Sequence, residues 1–121
     1  MREISYSDTC AVTVILKLLG GRWKTWIIYI LLGGTHRFNE LKRLIPGITQ
    51  RMLTNQLREL EQDQIVIRKV YAEVPPKVEY SLTEMGYALE PILKQLEDWG
   101  SCYIFKTTGV DPKLKNVSTK K

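Results

Sequence analysis

Apolar and polar positions change period several times along the chain, and each change marks an element. CAVTVILKLLGG has apolar residues at helical spacing; it predicts a short helix started near Asp8 or Thr9 and stopped by Gly20 and Gly21. WKTWIIYILL predicts a second helix, ending at Gly33 and Gly34. Both are so apolar that they are expected to lie mostly buried. THRF reads as a short strand, Asn39 as the cap of a helix through ELKRLI, and Pro46–Gly47 as a turn.

A further helix begins at about Thr49. Leu53, Leu57 and Leu60 stack on one side of it, while Arg51, Asn55, Arg58 and Gln62 line the other, a face without an acid. A helix, a tight turn and a second helix therefore occupy Asn39 to Asp63, the helix-turn-helix layout.

Next, IVIRKVY and VEYSL flank AEVPPK. In VEYSL, Val78, Tyr80 and Leu82 alternate with Glu79 and Ser81, so the segment predicts a hairpin whose proline-bearing tip projects beyond the sheet. Thr83 is placed to cap a long final helix, TEMGYALEPILKQLEDWGSCYIF, with Met85, Leu89, Ile92, Leu96, Trp99 and Tyr103 at helical spacing. Pro91 should kink it or divide it in two. A hairpin directly after a helix-turn-helix is a wing. The predicted fold is mainly α with a small antiparallel β-hairpin wing (α+β): a winged helix-turn-helix over residues 10–105, an N-terminal extension over 1–9, and a basic, flexible tail over 106–121.

Composition narrows the function. The chain has 121 residues and a formal charge of +5, which favours a polyanionic partner. No segment approaches the roughly 20 apolar residues of a membrane span, and the start MREISYSDTC has no export pattern, so no membrane partner and a cytoplasmic location are expected. One histidine and two cysteines do not complete a usual zinc site, and no cofactor is implied. There is no phosphate-binding glycine loop, paired-carboxylate motif or serine elbow, which argues against an enzyme. His36 reads as a surface or packing residue.

The order LGGRWK, HRFNEL, PGITQRMLTNQLRELE, VPPKVEYSLTEMG and EDWG resembles the HxlR-type winged helix-turn-helix transcriptional regulators of bacteria, over Cys10 to about Phe105. The resemblance implies a homodimeric DNA-binding regulator, repression being the commoner family role, with a dimer formed mainly by the first and last helices. It also implies sensing of electrophiles or oxidants through a cysteine near the amino end, the position of Cys10. One departure is visible: members commonly have glycine where this chain has Gln64, at a place where a left-handed backbone strains any other residue by about 1 kcal/mol.

With double-stranded DNA as partner, a recognition helix enters the major groove by its amino-terminal part, which puts Arg51, Thr54, Asn55 and Arg58 at base edges and Gln50 and Thr49 at phosphate or the groove edge. Arginine grips guanine, and asparagine adenine, by two hydrogen bonds each. Arg68, Lys69 and Lys77 flank the wing as phosphate contacts, with Arg37 and Lys42 as weaker backbone clamps.

For the homodimer, Leu89, Leu93, Leu96, Trp99 and Tyr103 with Val12, Ile15 and Leu16 are the interface candidates; the alternative places them all in the monomer core. Cys10, at the amino end of the first helix, is favoured as thiolate by the helix dipole and opposed by Asp8. A purely structural Cys10 and a disulfide to Cys102 of another subunit both stay open. So do control by a small-molecule inducer in a pocket lined by Trp23, Trp26 and Tyr29, residues equally suited to the core, and a winged helix used only for protein contacts.

Overall fold

The computed structural model describes residues 10–112. The expected extension 1–9, with Asp8, and most of the basic tail lie outside the described residues. The elements are α1 (Ala11–Leu18), α2 (Lys24–Leu32), β1 (His36–Arg37), α3 (Phe38–Leu44), α4 (Gln50–Gln62), β2 (Val66–Tyr71), β3 (Lys77–Leu82), α5 (Glu84–Tyr87) and α6 (Glu90–Thr108). The three strands form one antiparallel sheet in the order β1-β3-β2. The chain divides into a unit ending at Tyr87 and a second beginning at Ala88.

In the first unit, Ile27, Ile28 and Leu31 of α2, Leu41 of α3 and Leu53, Leu57 and Leu60 of α4 are fully buried, with Ile45 from the turn. Val66, Tyr80 and Leu82 add the inner positions of the sheet. The hairpin pairs Val66 with Leu82 and Tyr71 with Lys77, leaving residues 72–76 as the tip, where Val74 is wholly exposed. His36 pairs with Tyr80, and its Nδ1 lies 2.7 Å from the Gly34 carbonyl.

The junction of α4 and β2 decides how the wing leaves the recognition helix. Ile65 N–H donates to the Leu60 carbonyl and Gln64 N–H to that of Glu61, the paired bonds of a Schellman ending, with Gln64 in the left-handed region at φ 65°. Thr83 fastens the end of β3 to the same place: its N–H donates to the Ile65 carbonyl and its hydroxyl to the Gln64 carbonyl at 2.7 Å. Gly86 closes over it so tightly that a Cβ there would stand 2.6 Å from the Ile65 carbonyl oxygen.

Several expectations need correction. The α3 helix starts at Phe38 with Arg37 as cap, not Asn39, because the Glu40 carboxylate three positions on accepts the Arg37 N–H at 2.8 Å. Of the two outcomes expected at Pro91, division is the one observed: the segment after β3 forms two helices, α5 and α6, with Pro91 in the first turn of α6, where its missing N–H costs nothing. That second helix continues through Thr108, three residues beyond residue 105, and ends at Gly109. Most informative is α1: it begins at Ala11 with Cys10 as cap, and none of its residues is buried. The apolar composition of α1 is a surface in the single chain.

Candidate nucleic-acid interface

The recognition helix is built from its cap outward. Thr49 has extended backbone and its hydroxyl accepts the Met52 N–H at 3.1 Å, which fixes where α4 starts. From that start the leucines point into the core and Gln50, Arg51, Asn55 and Arg58 are exposed, while Thr54 is half-buried beside them. Gln62 continues the exposed row. Neither Arg51 nor Arg58 has an acid within ion-pair reach among the described residues.

The wing stands beside this face. Burial raises the Tyr80 hydroxyl above the usual phenol range, and the charges around it are those of Arg68, Glu61 and Arg58, so the middle of the sheet lies against the carboxy-terminal half of α4. Arg68 is committed to Glu61 of α4 at 3.4 Å. Lys77 pairs with Glu79 at 3.5 Å, and Lys69 and Lys77 lie 4.9 and 4.7 Å from the centre of the Tyr71 ring. The Tyr71 hydroxyl donates to Glu79 at 2.9 Å and, ahead of the Lys77 and Arg37 charges, holds that carboxyl below its ordinary range. Of the three wing cations singled out in the sequence, Lys69 alone has no acid partner among the described residues.

One contact behind the interface was not visible in the sequence. Lys24 of α2, with its side chain 4% exposed, forms an ion pair and hydrogen bond with Glu59 on the inner flank of α4, whose side chain is 38% exposed. The only sequence signal was a lysine inside an apolar helix. Its partner lies 35 positions further on.

The remaining candidates separate by exposure. Val12, Ile15 and Leu16 of α1 are exposed, Val12 at 65%. On α6, Leu96, Trp99 and Tyr103 are exposed, joined by Ile92, and Trp99 stacks on Tyr103 with ring centres 5.4 Å apart. Leu89 and Leu93, the other two interface candidates on this segment, are buried, at 7% and 3%.

Cys10 is exposed at the cap of α1 and Cys102 is exposed on α6. The Cys10 sulfur closes no full cap bond, but the Thr13 hydroxyl beside it, and to a lesser degree the N–H groups of Thr13 and Val12, hold its thiol below the usual range. Trp26 and Tyr29 are exposed rather than core, and Trp23 is half-buried. No described helix is long and apolar enough to cross a membrane.

A tri-helical core with a helix-turn-helix and a hairpin wing defines a winged helix-turn-helix protein. The profile of the HxlR-like helix-turn-helix family matches residues 18–108, and the chain belongs to that family. The uncharacterized HTH-type transcriptional regulator YybR of Bacillus subtilis (strain 168) is 58% identical over 93 residues, 77% of this chain and 74% of that one. Among solved structures, the redox regulator HypR in its reduced form is 51% identical with a TM-score of 0.77, over 84% of this chain and 100% of that one. The reduced form of the transcriptional regulator YodB from B. subtilis is 42% identical with a TM-score of 0.71, over 77% of this chain and 92% of that one. The protein is accordingly a winged-helix transcriptional regulator and not an enzyme.

Proposed function

We propose that the protein binds DNA sequence-specifically as a homodimer on an inverted repeat, acts as a repressor, and is controlled through modification of Cys10 by an oxidant or electrophile. The observation that carries the reading is the exposed face of α4. Arg51, Asn55 and Arg58 present donors suited to base edges, the two arginines with no acid in ion-pair reach among the described residues, on a helix whose opposite side is locked into the core. Gln50 and Lys69 extend that surface toward the backbone phosphates. Arg68 and Lys77, each already paired with a carboxylate, contribute less.

Dimerisation is supported by surface that a monomer leaves wet. An α1 without one buried residue, and an α6 carrying Ile92, Leu96, Trp99 and Tyr103 outward at i, i+4, i+7 and i+11, are two apolar faces of the kind that a second subunit covers. A two-fold dimer reads half-sites about 34 Å apart, one turn of the duplex. The thiol switch is supported by the exposure and lowered proton affinity of Cys10 and by the likeness to a redox regulator.

Fluorescence anisotropy on DNA upstream of the coding region, beside a scrambled duplex, tests the reading. Selective binding that is lost on diamide treatment and kept in Cys10→Ser is the expected outcome. Selective binding indifferent to diamide removes the thiol and directs attention to a small-molecule inducer. Arg51→Ala and Asn55→Ala should lower the preference between the two duplexes; equal losses on both would count against base reading. Sedimentation at micromolar concentration should give a dimer, and a monomer there removes the two-fold model.

A further inference from the structure

The LGGRWK turn between α1 and α2 places one more cation at the helix-turn-helix. The Arg22 guanidinium carbon lies 4.7 Å from the centre of the Trp23 ring. The far edge of the same indole stands 4.0 Å from the position a Cβ on Gly47 would take, so Trp23 rests against the turn that feeds α4. Gly47 has φ 83°, a left-handed turn conformation that glycine adopts without strain. Arg22 is exposed and has no acid within ion-pair reach among the described residues.

A guanidinium on an indole face keeps its plane against the ring and its N–H edge toward solvent. That edge matches two oxygens of a phosphodiester, whereas an ammonium offers only a point charge. We propose that Arg22, held on the Trp23 shelf, is a phosphate clamp for the DNA backbone beside the recognition helix. The inference rests on the DNA-reading role of α4 given above. It adds a contact from outside the helix-turn-helix segment itself. Its chemistry is sequence-neutral: Arg22 adds affinity, while Arg51 and Asn55 set preference.

The test titrates fluorescein-labelled upstream and scrambled duplexes across a KCl series with wild type, Arg22→Ala, Arg22→Lys and Arg51→Ala. Arg22→Ala should weaken both duplexes by the same factor and make the plot of log binding constant against log salt shallower by about 0.9 per subunit. Arg22→Lys should restore the slope and only part of the affinity. Arg51→Ala should instead change the ratio between the duplexes. An Arg22→Ala protein with unchanged affinity and slope, on duplexes that wild type binds, overturns the clamp and leaves Arg22 a packing residue. A wild type that binds neither duplex even at low salt removes the DNA-binding reading itself, and the clamp with it.

Discussion

The ion pair between Lys24 and Glu59 should respond very unequally to loss of its two members. Lys24 is the buried partner and Glu59 the one that water reaches, at 4% and 38% side-chain exposure. Glu59→Gln leaves an ammonium in the interior facing a neutral amide. Removing one partner of a buried pair in this way costs about 3 to 5 kcal/mol, and the carbonyl oxygen that glutamine retains brings this to about 3. Lys24→Met removes the charge and keeps the methylene stem in place. The carboxylate left behind is open to solvent, so the cost should be about 1 kcal/mol or less. The double variant should lie near Lys24→Met alone, which makes the coupling large.

Urea unfolding at one fixed protomer concentration reads these values. With a slope of about 1.5 kcal/mol/M, Glu59→Gln should lower the midpoint by about 2 M and Lys24→Met by less than about 1 M. Equal losses, or the larger loss in Lys24→Met, would refute the argument that burial of the ammonium sets the asymmetry.

Three further outcomes follow from single contacts. Gly86→Ala should destabilise by about 2 to 3 kcal/mol in the same urea experiment, because its Cβ meets the Ile65 carbonyl oxygen at 2.6 Å and backbone must move; a change below about 0.5 kcal/mol would show that α5 shifts without strain. Gln64→Gly should stabilise by about 0.5 kcal/mol or less, the roughly 1 kcal/mol of left-handed strain relieved being largely offset by the greater freedom of glycine in the unfolded chain, and a loss of more than about 0.5 kcal/mol would contradict this. Thr13→Val, in a Cys102→Ser background, should move the pH midpoint of Cys10 alkylation by iodoacetamide upward. The hydroxyl that favours the thiolate is then gone, and the rate at pH 7 should fall; an unmoved midpoint would exclude Thr13 as the cause.

What the sequence disclosed, and what it hid, follows from how local each cause is. Leu53, Leu57 and Leu60 marked the buried side of α4 because helical spacing alone puts them together, and Pro46–Gly47 marked the turn for the same local reason. The left-handed backbone at Gln64 was expected only through the resemblance, whose members commonly have glycine there; the Schellman bonds that require it appear once the chain is folded. Asn39 misled because residue preference ranks it as a cap, while the Glu40 carboxylate settled the helix start two residues earlier. The exposure of α1 could not be read from its apolar residues, since core and subunit contact demand the same composition. Leu93 and Leu96 are both leucines of one helix, yet one is interior and the other exposed. The Lys24 and Glu59 pair, and the seating of Trp23 against Gly47, depend on elements brought together only by folding.

The most direct measurement of sequence reading by α4 is selection from a pool of randomised duplexes by the purified, reduced protein, followed by sequencing of the bound fraction. The expected result is one enriched inverted repeat, its half-sites about 10 base pairs apart from centre to centre, that loses definition when Asn55→Ala replaces wild type. Recovery of bound duplexes with no enriched sequence would contradict it and leave a protein that holds DNA by charge alone.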